Sequence, residues 1–376
     1  MANTLLTTDK LVLDGEIIVG DSMVMANLVN RNHEQQFVGG IGEAIRIKGI
    51  PDMGAASTLA AEGSTSASNL TQTKVDLDIE KHFYKRITLT AEQERFDVMQ
   101  FSAEVLQPAL VSVTESVEKY LVRKTSAGFA SQLTGTAGTA PSTIQDIVLG
   151  TKKIFDNRAP MNPLVGVIGS TAKASFQQLT QFQSVDFGQG SVDAFRRGEL
   201  ADILGVNWFA SQNVGTVDYD DTAGTVLLNG AGAVGDTTVS MDAFTAATGT
   251  IYAGTRFTIA GTATVYTVTK DTAIASNAAA DIPITPALTA IEADNDAITF
   301  KTAQTEDMIY NPRGVAAAVI APAPLKGADS SIISVNGYSV RISIDGSIST
   351  TGNDLLVDTF AGCRVVSDKF GTVFQA

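Results

Sequence analysis

Soft metal ligands are nearly missing from this chain, which holds one cysteine, Cys363, and two histidines, His33 and His82. A lone cysteine excludes an internal disulfide and fits a reducing cytoplasm, with Cys363 as a small buried hydrophobe rather than a nucleophile. The histidines stand in neither an HExxH nor an HxH spacing, so no transition-metal site is assigned. Long apolar runs are missing too. No stretch of ~18 apolar residues occurs, so no membrane span is predicted. The opening MANTLLTTDK lacks the basic region and apolar core of a signal peptide. Positive charge is scarce: 26 Lys and Arg face 40 Asp and Glu, a net −14, the wrong balance for a basic nucleic-acid reader. There is no GxSxG elbow and no phosphate loop ending in Gly-Lys-Ser/Thr. No catalytic, cofactor-binding or metal-binding residue is assigned, and no enzyme is expected.

What the chain does have is length, glycine and one long amphipathic stretch. Its 376 residues suffice for two or three domains, and 44% hydrophobic content with 33 glycines points to a β-rich, turn-rich architecture with few helices. Between Val98 and Ala127 the apolar residues Val98, Phe101, Val105, Ala109, Val113, Val117 and Tyr120 recur three or four apart. Glu104, Glu115, Glu118, Arg123 and Lys124 are placed mostly off that stripe. Thr90 is a plausible N-cap, with Glu92 and Glu94 behind it. A helix of ~30 residues would span ~45 Å and form a spine. Pro108 should bend it, because its ring cannot complete the i−4 bond. The alternative is two core helices broken near Pro108.

Upstream, Asp21–Asn32 can make a short amphipathic helix with Met23, Ala26 and Val29 or Asn30 near one face, in an arm that needs something else to pack on. Ala44–Lys48 alternates with period two, as does Lys74–Leu89, where Val75, Leu77 and Ile79 share one side. Between them 51–73 is small and polar, the composition of a mobile loop. Downstream, Ile144, Ile147, Val148 and Ile154 predict a second amphipathic helix, Leu164–Ile168 a buried strand and Ser170–Leu179 a third helix. Around Gly205 a glycine turn leads into a strand. Val217–Phe300 differs from both flanks: short Thr-, Ala- and Gly-rich alternating runs with a net −8 predict a small inserted β-barrel or sandwich. Beyond it Asn311–Ile320 is predicted as a short helix, and Tyr338–Ile344 and Asp354–Val366 as strands closing the body sheet. The division is an N-terminal arm (1–36), an extended β-loop (37–90), spine and α/β body (91–216), the inserted domain (217–300) and the closing part of the body (301–376).

Three patterns invite a chemical reading and carry little. Gly230-Ala231-Gly232-Ala233-Val234-Gly235 is a formal GxGxxG, but Asp236–Ser240 favours a strand where a dinucleotide site needs a helix. Thr255 also stands where an acid should be, and hairpin turns explain the glycines. Asp218, Asp220 and Asp221 could chelate a hard cation, yet lack the glycine and distal Glu of a calcium loop; a solvated acidic turn is the better reading. Lys119, Arg123 and Lys124 could touch phosphate or form a solvated helix face.

The order of parts resembles the tailed-bacteriophage major capsid protein family. Asn30-Arg31-Asn32-His33-Glu34 to Phe37, followed by Gly42–Ile47, is similar to that family's arm-to-loop junction. Gly198–Val214 is similar to its body segment, with a strand running on to Ser211-x-x-Val214. Pro312–Leu325, Tyr338–Ile344 and Asp358-Thr359-Phe360-Ala361-Gly362 are similar to its C-terminal stretch. The resemblance covers nearly the whole chain and is closest to short-tailed-phage coat proteins with an inserted β-barrel. It implies an α+β fold of the tailed-phage and herpesvirus capsid type: N-arm, extended β-loop, spine helix, peripheral and axial domains, and an inserted all-β domain. It also implies self-assembly into hexamers and pentamers of an icosahedral shell around double-stranded DNA, with assembly in the host bacterial cytoplasm. Scaffolding and portal proteins are implied partners, a decoration protein a possible one, with only weak non-specific DNA contact and no membrane. Some relatives crosslink a loop lysine to a neighbour's asparagine. Lys48 and Lys74 flank the loop here but none sits at its tip, so that activity is not carried over. The rival reading is a receptor-binding tail-fibre or adhesin-like protein, which seldom contains such a spine or body.

Overall fold

The computed structural model describes residues 24–37, 44–49, 72, 74–90, 102–135, 141–179, 204–214, 225–301, 306–335, 338–347 and 352–374. The predicted loop at 51–73 (Gln72 apart), Met23, Val98, Phe101 and the acidic triplet at 218–221 lie outside them. In the arm, the helix predicted over 21–32 is a single 3-10 turn, Met25–Leu28. Tertiary partners explain the difference. The Asn30 amide bonds to the Val315 carbonyl at 2.9 Å and the Met25 amide to Glu118 at 2.9 Å, and so short a helix is marginal alone.

The body begins with β1 (Ala44–Lys48) and β2 (Lys74–Asp78), which pair antiparallel, and β3 (Lys81–Thr90). A π turn (Ser102–Leu106) feeds the 22-residue helix α1 (Gln107–Gly128). The bend expected at Pro108 is a change of winding at this point: the proline stands in the first turn of α1, where its missing N–H is least costly. Then come β4 (Leu133–Thr134), α2 (Ile144–Asp156), β5 (Leu164–Ile168), α3 (Ser170–Gln177) and β6 (Val206–Ala210). A Thr143–Asp146 capping box starts α2. Ile147 and Ile154 face its core, but Val148 is exposed.

Among the described strands, the next eight pair only with one another. They are β7 (Leu227–Leu228), β8 (Thr238–Asp242), β9 (Thr248–Ile251), β10 (Arg256–Ile259), β11 (Tyr266–Val268), β12 (Thr272–Ala275), β13 (Ala279–Thr285) and β14 (Ile298–Phe300). They form a six-stranded sheet, β14-β10-β11-β13-β8-β7, and the pair β12-β9. Val239, Met241, Phe257, Tyr266, Ile282 and their neighbours make a core of their own.

The chain closes with β15 (Met308–Tyr310), β16 (Val315–Ile320), β17 (Asp329–Val335), β18 (Tyr338–Ser347), β19 (Gly352–Val365) and β20 (Gly371–Phe374). The helix predicted over Asn311–Ile320 is thus a 3-10 turn (Pro312–Gly314) followed by a strand. Alanine favours helix, but this segment is buried on both faces. Val315, Ala317 and Val319 join the spine core, while Ala316 and Ala318 pack on Leu77 of the β1–β2 hairpin.

Two five-stranded sheets frame the body. In one, β19 is central: Gly352–Ala361 pairs with β3, Gly352–Asp358 with β18, and Phe360–Val365 with β16. The other runs β4-β20-β15-β5-β6. Period-two alternation gives each face of this second sheet a different neighbour. Val165, Val167, Met308 and Tyr310 belong to the core built on α1, whereas Leu164, Ile168 and Ile309 pack with α2 and α3.

Candidate assembly site

Of the predicted stripe, the described residues Val105, Ala109, Val113, Val117 and Tyr120 are all in the core. Glu104 and Glu115 are exposed, but Glu118 is not off the stripe as expected; it is fully buried. Its carboxylate accepts the Met25 amide at 2.9 and 3.2 Å, and the Val24 amide as well. Burial pushes its pKa up to about 7 against the opposing pull of those amides. Farther along α1, Lys124 Nζ lies 2.6 Å from Glu80, to which the Tyr120 hydroxyl donates at 3.3 Å. Arg123 stands 3.9 Å from Glu306 and 4.7 Å from the Tyr252 ring centroid. Of the three cations considered for phosphate, Lys119 is exposed, and the other two are engaged by internal partners.

On the sheet centred on β19 the register sets Tyr84 opposite Asp358 and Asp358 opposite Arg341. Asp358 is fully buried. One of its oxygens accepts Arg341 Nε at 2.9 Å; the other accepts Nη2 and lies 2.9 Å from His82 Nε2. Arg341 also donates to the Ala323 carbonyl. Around this bonded centre, Tyr84 is 66% and Ile332 44% exposed, and Arg86 pairs with Asp354. Among the described strands β3 pairs only with β19, so its other side is an edge, blunted by exposed Lys81, Lys85 and Arg86. The β1–β2 hairpin adds a charged outer face. Arg46 pairs with Asp76 at 3.2 Å, and the like charges Lys48 and Lys74 stand directly opposite one another toward its tip. These surfaces offer exposed rings, strand edge and charge to another macromolecule. A pocket of about 370 Å³ opens beside His82, lined by Phe37, Lys81, Pro322 and Phe360 among others.

Another cavity, of about 430 Å³, lies between the end of α1, the 269–285 region and β19, lined by Lys124, Lys270, Cys363 and Arg364 among others. Burial pushes the Cys363 thiol up to about 12, so no thiolate forms there at neutral pH. Gly230 and Gly235 of the GxGxxG string have φ of +93° and +95° and lead into β8, not a helix; they are turn glycines. Among the described residues no cluster of His, Cys, Asp and Glu is arranged to hold a metal, and no helix is long and apolar enough to cross a membrane.

No protein-family model matches the sequence, and no curated protein matches it significantly. Solved structures do match the fold. One from Mycobacterium phage Che8 aligns with a TM-score of 0.52 at 15% identity, over 94% of this chain and 91% of that one. The capsid structure of cyanophage P-SCSP1u gives 0.50 at 10% identity, over 94% and 88%. This chain has the phage capsid fold. The phage capsid fold here is mixed α+β, mostly sheet with few helices. Identity this low preserves the path of the backbone while side chains diverge, so the order of parts carried the resemblance where no single motif could. Sequence reading missed Glu118, Glu306 and the Arg341–Asp358 pair. None gave a signal: Arg341 and Asp358 alternate with the core residues Val340, Ile342, Leu355 and Val357 and so read as the outer face of their strands.

Proposed function

We infer that this chain is a major capsid protein whose copies assemble as hexamers and pentamers of an icosahedral shell enclosing double-stranded DNA. The observation that carries the reading is the fold match to the cyanophage capsid structure over 94% of the chain. The β1–β2 hairpin, with its opposed lysines, is the extended loop reaching a neighbour; α1 is the spine; residues 1–36 are the N-arm. The segment 217–300 is an inserted domain, supported by strands that pair among themselves around a separate core. The role is structural, not enzymatic, and the partners are other copies first, then scaffolding, portal and decoration proteins, with weak contact to packaged DNA. Electron microscopy of the expressed chain, alone and with the products of neighbouring genes, tests this. Closed shells or capsomers are expected; fibres would favour a tail-fibre role, and dispersed monomers under every condition would overturn both.

A further inference from the structure

We propose that docking of the N-terminal arm on the spine is linked to proton uptake by Glu118, so that the arm is held tighter at low pH and released as pH rises. The inference concerns the folded chain itself and stands whether or not copies build a shell.

The geometry comes first. Glu118 projects from α1 into the core and is fully buried, with the amides of Val24 and Met25 at the start of the 3-10 turn as its hydrogen-bond donors. No described cation forms an ion pair with it; the influences on its carboxyl are burial and those two amides. Met25, Ala26, Leu28 and Val29 of the arm are themselves buried, in the same core as the stripe of α1. Lifting the arm therefore exposes the carboxyl to water and removes both amides. A buried carboxyl without a cation prefers its neutral form, and a solvated one its charged form.

Neighbouring groups do not reverse the sign. On β15 the Tyr310 phenol faces Glu118 and donates to Met25 Sδ at 3.4 Å; burial raises it well above the ordinary tyrosine range. On β19 Cys363 acts on Tyr310 and is pushed up to about 12, so both stay neutral near pH 7. On α1 itself, Glu115 and Lys119 are exposed. The arm contributes Arg31, His33 and Glu34; Glu34 accepts the Val319 amide at 3.1 Å and is also raised by burial. This second carboxyl crosses the same interface and has the same sign.

The docked carboxyl titrates at about 7 and the freed one near its ordinary 4.5. Docking therefore weakens by up to about tenfold per pH unit between 4.5 and 7, about 300-fold across the whole titration, and levels off above.

Limited proteolysis of the full chain by a non-specific protease from pH 5 to 8.5 reads this directly, with arm cleavage normalised to cleavage of an unstructured peptide. Wild-type cleavage of the arm should rise steeply between pH 5 and 7 and then flatten. Glu118→Gln, which keeps an acceptor and cannot titrate, should flatten the profile to the part Glu34 contributes, and Glu118→Gln combined with Glu34→Gln should hold the arm equally at every pH. A Glu118→Gln profile that follows the wild type overturns the proposal. If that variant fails to fold, the wild type alone decides: normalised cleavage independent of pH, or falling as pH rises, overturns it.

Discussion

A β-carbon on Gly362 would lie 2.2 Å from the Asp78 carbonyl oxygen, because β19 runs against the end of β2 at that point. The obstacle is backbone and cannot swing aside. Gly362→Ala should therefore cost about 1–3 kcal/mol, read as a lowered denaturation midpoint, with the β1–β2 hairpin loosened before the body. The Arg341–Asp358 pair works differently. Both side chains are buried, 7% and 0% exposed, and each satisfies the other. Asp358→Asn leaves the guanidinium charge without its counter-ion, at a cost of about 3–5 kcal/mol. Replacing the two together with apolar residues of similar volume should cost much less. Urea titration of the single and double variants checks this; equal losses in both would mean the pair is not what holds that part of the sheet.

Helix α1 is the element whose faces decide most. Val113 is 3% exposed in the core shared by both body sheets, and Val113→Asp puts a carboxylate there with no partner. A loss of several kcal/mol is expected, seen as insoluble or non-assembling protein, whereas Glu115→Gln on the exposed face should assemble normally. The stripe was legible because a helix that buries one face must repeat its apolar residues at that period. Glu118 was not, because its partners are backbone amides 93 and 94 residues away and any residue could supply them. Strand β16 was misread for a related reason. Its alanines are small so that the β1–β2 hairpin can close over them, and in sequence the same alanines read as helix. Strand β5 was legible as a short apolar run buried along its whole length, and β18 and β19 as β-branched runs whose Val340, Ile342, Leu355 and Val357 face the core.

At the scale of the molecule, charge and modularity are the levers. A net −14 leaves little attraction for phosphate, so unassembled subunits should bind duplex DNA negligibly near physiological salt; tight binding with a steep salt slope would contradict a wall-like role. The change of composition at 217–300 was readable in the sequence, though the junction was not. Arg256 Nη1 donates to the Phe374 carbonyl at 3.1 Å, Lys81 lies 3.7 Å from Asp271, and Arg123 stands over the Tyr252 ring. These ties cross between α1, β20, β3 and the β-rich unit, but none is a shared strand and none belongs to its core. The unit should therefore fold alone: residues 217–300 expressed separately should give a soluble, β-rich product with a cooperative thermal transition. Replacing the same residues with a short Gly/Ser linker should leave the body sheets intact by circular dichroism but less stable, since Lys81 and Arg123 lose partners and the Phe374 carbonyl loses a buried donor. A body that fails to fold would make the unit part of one cooperative core, and an isolated segment without a transition would show that it depends on those ties.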